Sequence, residues 1–384
     1  MQNAILNLLK TITQKYMGAI RMSETKDETK QITSKTYRLV KPGDIEEQQI
    51  PRTLKKGWVD VQPIMASVCH ADDRYFAGQR RPEALAKKLP MALLHEGIGT
   101  VKESMSDEFK AGQRVAIAPN VPGYVLRGEK KTDTLPDNYS ADAAFISSGH
   151  DGIAQSDLVH PESCLVPIPE NIPDEIAILA EVSTVGYHAS SHVKHILSKP
   201  NVKVALFGDG PVGYMAAAVL HFVWGISKEN LTVFGAMEDR ISKFDFATRE
   251  MVNDYDFDNA EEQFDVIFEA TGGHFSSSAI NEGIKVIKRT GSFVLMGVTE
   301  ELVPIDTRDV LEKGLTLYGT SRSTPDDFKV VIKTMSEKPE YREALQKLLP
   351  EKETVIKNAD DLTAAFNKIV ADKAWKKAVL KFEW

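Results

Sequence analysis

From Ser34 to about Val68 apolar and polar positions alternate in short runs punctuated by Pro or Gly, as in T-Y-R-L-V-K-P-G-D-I and W-V-D-V-Q-P-I-M-A-S-V. Period-two alternation with such breaks predicts strands joined by turns. The pattern continues through I-G-T-V-K-E-S, Q-R-V-A-I-A-P-N and I-A-Q-S-D-L-V-H-P-E-S-C-L-V-P-I-P. Around Asp174 the spacing becomes helical, in D-E-I-A-I-L-A-E-V-S-T-V-G-Y-H-A-S-S-H-V. Beyond it, apolar runs of strand length alternate with helical segments: V-K-V-A-L-F, L-T-V-F-G, F-D-V-I-F-E-A-T-G-G, G-S-F-V-L-M-G-V and L-T-L-Y-G-T. Strands apolar throughout and separated by helices predict a doubly wound parallel sheet covered on both faces. From about Pro325 the chain offers helical D-D-F-K-V-V-I-K-T-M and a strand-like A-V-L-K-F-E-W, which we assign back to the first domain. The fold class is α/β, with a β-rich domain over 35–182 and 325–384 and a dinucleotide-type domain over 183–324.

Residues 1–34 read differently. Ala4, Ile5, Leu8, Leu9 and Ile12 fall at helical spacing and are followed by polar M-S-E-T-K-D-E-T-K-Q, which predicts an amphipathic helix on a flexible tether. The apolar part is short and lacks an A-x-A-like site, against a signal peptide. No chemistry depends on this extension.

The full 384 residues, 42% of them hydrophobic, are enough for two ordinary cores. A formal net charge of −8 gives no general attraction to nucleic acid, and no apolar run has the length of a membrane span. Two cysteines, Cys69 and Cys164, leave no disulfide framework and suit a reducing compartment, so the expected location is the cytoplasm.

The most informative stretch is N-V-K-V-A-L-F-G-D-G-P-V-G-Y-M-A-A-A-V-L, where an apolar run breaks at Gly208, Gly210, Pro211, Val212 and Gly213 before a small-residue helical segment. Strand, glycine turn and helix in that order form a dinucleotide fingerprint. Gly208 permits the turn, Gly210 leaves room for a pyrophosphate, and Gly213 lets the helix pack on the strand. The phosphates would meet unpaired N–H groups at the helix N-terminus.

In the β-rich half, Cys69, the adjacent pair His95 and Glu96, and Glu181 offer thiolate, imidazole and carboxylate, the ligand types zinc accepts. Each alone is explained by packing or by an ordinary helix charge. As an ordered set, M-A-S-V-C-H-A-D-D-R, P-M-A-L-L-H-E-G-I-G-T-V, S-S-G-H-D-G-I-A-Q and G-D-G-P-V-G resemble the zinc-dependent medium-chain dehydrogenases. The resemblance implies a GroES-like β domain, a Rossmann domain and one catalytic zinc in the cleft, held by Cys69, His95, Glu96 and Glu181. The family's structural zinc needs four further cysteines, which two in the chain exclude.

Within the family, C-H-A-D-D-R-Y-F-A-G-Q-R-R, E-V-S-T-V-G and D-T-R-D-V-L-E-K-G-L-T-L-Y-G-T-S-R-S are most similar to ribitol-5-phosphate dehydrogenases, which reduce D-ribulose 5-phosphate for ribitol teichoic-acid and capsule precursors. That implies a sugar-phosphate substrate, a homo-oligomer and a cytidylyltransferase taking the product. Relatives relay the substrate proton through a Ser or Thr and a His where this chain has Ala71 and Arg74, so the relay is open. Arg74, with Arg80 and Arg322, is a candidate for the substrate phosphate, because a guanidinium can hold phosphate bidentately.

NAD-specific relatives place an acid at the end of the second Rossmann strand, where this chain has Gly235 followed by Arg240 and Lys243. Without that acid nothing repels a 2′-phosphate, and NADPH is the expected cofactor. Two alternatives stay open: a dehydrogenase of another polyol or polyol phosphate, and a non-catalytic sensor of the NADP(H) ratio.

Overall fold

The protein is described by a computed structural model over residues 29–372 and 374–384. The helix expected near the N-terminus lies outside them. Strand pairing separates two bodies of sheet.

In the first, a seven-stranded sheet runs Leu165–Pro167, Arg114–Ile117, Glu96–Ser104, Trp58–Ser67, Val379–Phe382 and Thr354–Ile356, with Leu158–Pro161 also paired to Trp58–Ser67. Beside it, Asp44–Lys55, Thr29–Lys41 and Met91–Ala92 form a three-stranded sheet. Thr29–Lys41 pairs antiparallel with Asp44–Lys55 from its first residue, Thr29 opposite Lys55. The last six residues of the stretch set aside as an extension, 29–34, are therefore strand. Thr29, Lys30 and Gln31 are exposed, so the hydrophobic alternation that marks a half-buried strand is missing there.

The second body is a six-stranded parallel sheet in the order Thr248–Met251, Leu231–Gly235, Val204–Phe207, Phe264–Glu269, Ile287–Leu295, Thr316–Gly319. Val204, Ala205 and Leu206 are wholly buried, as strands covered on both faces require. The order reverses beside Val204–Phe207, and ligands of such sheets bind at that reversal, beyond the carboxyl ends of the strands. The helical segment after Leu231–Gly235 is a single turn, Glu238–Ile241, after which the chain goes to the edge strand.

From Pro325 two helices precede the strands that enter the first domain's sheet. Pro325–Glu337 packs on the Ala180–Ser191 helix, Pro339–Gln346 packs on Pro211–Ala218, and Phe328, Val331 and Tyr341 share a core with Val204 and Tyr214. Helical periodicity shows that these segments have an apolar face, but not which domain covers it. Only Thr354–Ile356 and Val379–Phe382 rejoin the β domain's sheet. Met65, Ile98 and Ala116 of that sheet belong to the same core as Val182 and Met215, so the Ala180–Ser191 helix is the seam between the domains. No helix among the described residues is long and apolar enough to cross a membrane.

Candidate active site

Strand Trp58–Ser67 ends where the chain turns into the helix His70–Phe76, and Cys69 is that helix's N-cap. Ser67 pairs with Glu96 across the sheet, which carries His95 and Glu96 alongside the cap. The thiol of Cys69, a ring nitrogen of His95 and a carboxylate oxygen of Glu96 all lie within 4.8 Å of one another. His95 and Glu96 are buried, at 6% and 2% exposure, so solvent does little to compensate their charges.

Asp72 organises this corner. It is fully buried, and its carboxylate accepts from the Cys69 N–H (3.3 Å), the Leu94 N–H (3.0 Å) and the Ser147 hydroxyl (2.5 Å). Its Oδ2 lies 3.4 Å from His95 Nδ1, which has no hydrogen-bond partner among the described residues. Leu94 and Ser147 both have left-handed backbones, with φ of 76° and 62°. For residues with a Cβ that conformation costs about 1–3 kcal/mol each, so the surrounding structure enforces it. Burial opposes charge on Asp72, yet His95 and the donated hydrogen bonds hold its carboxyl below the usual range. For His95 burial favours the neutral ring, but Asp72 and Cys69 outweigh it and push the imidazole well above its ordinary value.

Glu96 has its own partners. Lys377, 8% exposed, reaches its two carboxylate oxygens at 2.7 and 3.0 Å, and the Ser67 hydroxyl donates to it as well. Glu181 sits in the first turn of the seam helix, 6% exposed. It is not one of the three whose ligand atoms lie within 4.8 Å, but it shares their electrostatics: burial first, then the Glu96 charge, pushes its carboxyl up to about 7 against the pull of His95 and Lys377. Thiol, imidazole and carboxylate around one point, one imidazole nitrogen facing a buried carboxylate, fit a zinc ion with its supporting shell.

The nucleotide end shows the expected turn. Gly208 has φ of 135°, and a Cβ there would lie 2.8 Å from the Ala270 carbonyl oxygen. A Cβ on Gly213 would run into the Gly208 carbonyl, whereas Gly210 faces open space at the N-cap of Pro211–Ala218. Pro211 and Val212 begin that helix. Asp209, within the turn, accepts the N–H groups of Ala236 and Met237 just past Gly235, both at 2.8 Å, and stands 3.8 Å from Arg240. Lys243 is engaged differently, over the Trp375 ring at 5.0 Å.

The three candidate phosphate arginines separate into two places. Arg74 and Arg80 both reach Glu300, in the loop after Ile287–Leu295. Arg322 bonds Asn120 Oδ1 at 3.1 Å and lies over the Phe145 ring, which in turn contacts His95 edge-on at 5.3 Å. Sequence reading gave Asp72 no role and passed over Lys377, Asp209 and Glu300. Asp72 had a signal, since an acid three residues after an N-cap completes a capping arrangement. Lys377 and Glu300 had none, being distant in the chain from Glu96 and Arg74.

A nucleotide-binding parallel sheet joined through a seam helix to a β domain that carries this ligand set defines a two-domain, zinc-binding dehydrogenase. Comparison with known proteins agrees: the model of the alcohol dehydrogenase GroES-like domain matches residues 55–170 and that of the zinc-binding dehydrogenase matches 231–337. The chain belongs to the zinc-dependent medium-chain dehydrogenase family. It is 37% identical over 353 residues to ribulose-5-phosphate reductase 1 of Staphylococcus aureus, covering 91% of this chain and 99% of that one. It is 33% identical over 351 residues to the ribulose-5-phosphate reductase of Bacillus spizizenii, covering 91% and 99%. The crystal structure of S. aureus TarJ in complex with NADPH superposes with a TM-score of 0.77 at 32% identity, covering 92% of this chain and all of that one.

Proposed function

We propose that this chain reduces D-ribulose 5-phosphate to D-ribitol 5-phosphate with NADPH at a zinc centre. The observation that carries the reading is the buried convergence of Cys69, His95 and Glu96 beside the nucleotide domain. The substrate follows from the reductases to which nearly the whole chain is similar. A non-catalytic sensor has no need for such a set.

In this reading Cys69, His95, Glu96 and Glu181 hold the zinc. Bound there, zinc would supply Lewis-acid polarisation of the C2 carbonyl while NADPH supplies the hydride. Asp72 faces His95 Nδ1 and favours a proton there, leaving the other ring nitrogen for the metal. Lys377 balances the charge that one thiolate and two carboxylates leave over a divalent ion. Gly208, Gly210, Pro211, Val212 and Gly213 admit the pyrophosphate, Gly235 adds no acid of its own at the 2′-phosphate, and Arg240, which stands beside Asp209, pairs with it, Lys243 being the lesser partner. Arg74 and Arg80 take the substrate phosphate, with Arg322 at the Phe145 side. Ala71 has no proton to give and Arg74 stays charged, so the proton completing the new hydroxyl comes from water or a substrate hydroxyl. The product suits a cytidylyltransferase, and we place the enzyme in the cytoplasm as a homo-oligomer.

Product identification by NMR tests the assignment. Ribitol 5-phosphate formed from D-ribulose 5-phosphate and NADPH is the expected result. Formation of only the C2 epimer, or turnover confined to another polyol phosphate, would replace it.

A further inference from the structure

Arg74 and Arg80 are held in place before any substrate arrives. Arg74 lies on the helix capped by Cys69, and its Nε and Nη2 donate to the Gln79 carbonyl at 3.3 and 3.2 Å. The Arg80 guanidinium lies over the Tyr75 ring at 4.8 Å, and its Nε is buried with no partner among the described residues. Both share one anion, Glu300. Two guanidiniums on one carboxylate leave a positive charge and a buried donor uncompensated. Accordingly the Glu300 carboxyl lies below its ordinary value, mainly through Arg74, with Arg80 and Arg81 adding to the effect.

Glu300 comes from the other domain, on the loop leaving the carboxyl end of Ile287–Leu295, at the sheet edge where ligands of such folds bind. The root of this loop is fixed. Glu269, 1% exposed, accepts the Gly297 N–H at 3.0 Å and the Thr271 and Gly272 N–H groups at 2.9 and 3.1 Å, and Gly273 N–H donates to Val298 O at 3.0 Å. Beyond it the loop's apolar side chains face solvent: Val298 is 74% and Leu302 100% exposed. The result is a carboxylate carried on a fixed stem, reaching across to a site with charge to spare.

We propose that Glu300 is an internal stand-in for the substrate phosphate: it fills the Arg74–Arg80 site in the free enzyme, and the phosphate displaces it. This rests on the reading of the enzyme as a sugar-phosphate reductase. Charge decides the exchange. A phosphate monoester carries about −1.5 to −2 at neutral pH and three acceptor oxygens, against one charge and two oxygens on the carboxylate. Glu300 itself is half-exposed at 52%, so water can take its carboxylate on release, whereas Arg74 and Arg80, at 19% and 21%, stay in the site for the incoming anion. Displacement frees the 296–302 loop from the β domain, so phosphate recognition also opens a contact between the domains. An unphosphorylated ketose has no group to make the exchange.

The test is calorimetric titration of inorganic phosphate into the full-length, zinc-loaded protein, for wild type, Glu300→Gln and Arg74→Ala, with KM for D-ribulose 5-phosphate measured alongside. Glu300→Gln is expected to tighten phosphate binding and lower KM by about two- to fivefold, and Arg74→Ala to weaken phosphate binding at least about tenfold. If Glu300→Gln leaves phosphate affinity unchanged or lower while Arg74→Ala abolishes it, the arginine site stands and the role of Glu300 is overturned. If Arg74→Ala leaves phosphate binding intact, the arginine site falls and the proposal with it. Turnover of D-ribulose 5-phosphate by the wild type judges the reductase reading separately.

Discussion

Asp72 Oδ2 stands 3.4 Å from His95 Nδ1, while Oδ1 of the same carboxylate receives the Leu94 N–H and the Ser147 hydroxyl. One buried acid thus faces the His95 ring and binds the backbone of the residue before it. Asp72→Asn keeps the size but removes the charge, and partners of this kind typically contribute 10–100-fold in metal affinity. We expect zinc retention against a chelator to fall by about that factor and activity to fall with it. Zinc content and chelator competition, measured on the folded variant, check this; unchanged zinc affinity would remove Asp72 from the metal's support.

Lys377 and Glu96 form a buried ion pair, 8% and 2% exposed at the side chains. Removing one partner of such a pair typically costs about 3–5 kcal/mol, because the other charge is left uncompensated. Lys377→Met should therefore destabilise the metal-free protein by about that much. The zinc-loaded protein should lose less, since the metal takes over compensation of Glu96. Denaturant unfolding with and without zinc measures both, and an equal loss in the two states would separate Glu96 from the metal.

Arg240 stands 3.8 Å from Asp209, whose carboxylate binds the N–H groups just past Leu231–Gly235, whereas Lys243 lies over the Trp375 ring. A hydrogen bond to a charged group contributes about 1.5–3 kcal/mol, or roughly 10–100-fold. Arg240→Ala should lower kcat/KM for NADPH by that factor and leave NADH nearly unchanged. Equal losses with both cofactors would show that Arg240 does not read the 2′-phosphate.

His160 gives a pH signature independent of the metal site. It is 2% exposed, its Nε2 lies 2.9 Å from the Ala118 carbonyl, and burial depresses its pKa to about 4. The unfolded chain binds this proton near pH 6.5 and the folded chain only near 4, so the neutral ring's contribution is whole above 6.5 and lost as pH falls toward 4. The loss amounts to about 3 kcal/mol. Metal-free wild type and His160→Gln, compared by urea unfolding across this range, should change in relative stability by about that amount in favour of the variant at acid pH. A constant difference would contradict the assignment.

The two-domain plan was legible because the central strand Val204–Phe207 is an unbroken apolar run and its neighbours are mostly apolar, and because Gly208 and Gly213 mark a turn that side chains would block; the polar edge strand Thr248–Met251 carries no such signal. The strand at 29–34 was not, since its outer residues are polar and exposed. Nor was the placement of Pro325–Glu337: its apolar face is clear, and the partner of that face is a tertiary fact. Cys69, His95 and Glu96 announced themselves as ligand types in family order. What supports them did not, because Lys377 lies 281 residues from Glu96 and Glu300 lies 226 from Arg74. Only Asp72, one turn from Cys69, was within reach of local reasoning.

The central claim is tested most directly by the oxidation of NADPH by zinc-loaded protein with D-ribulose 5-phosphate, beside NADH and D-xylulose 5-phosphate as controls. Rapid turnover selective for NADPH and for the ribulose ester, lost with the metal in Cys69→Ser, is the predicted result. No turnover of D-ribulose 5-phosphate by a zinc-replete sample would contradict the substrate assignment while leaving the fold and family in place.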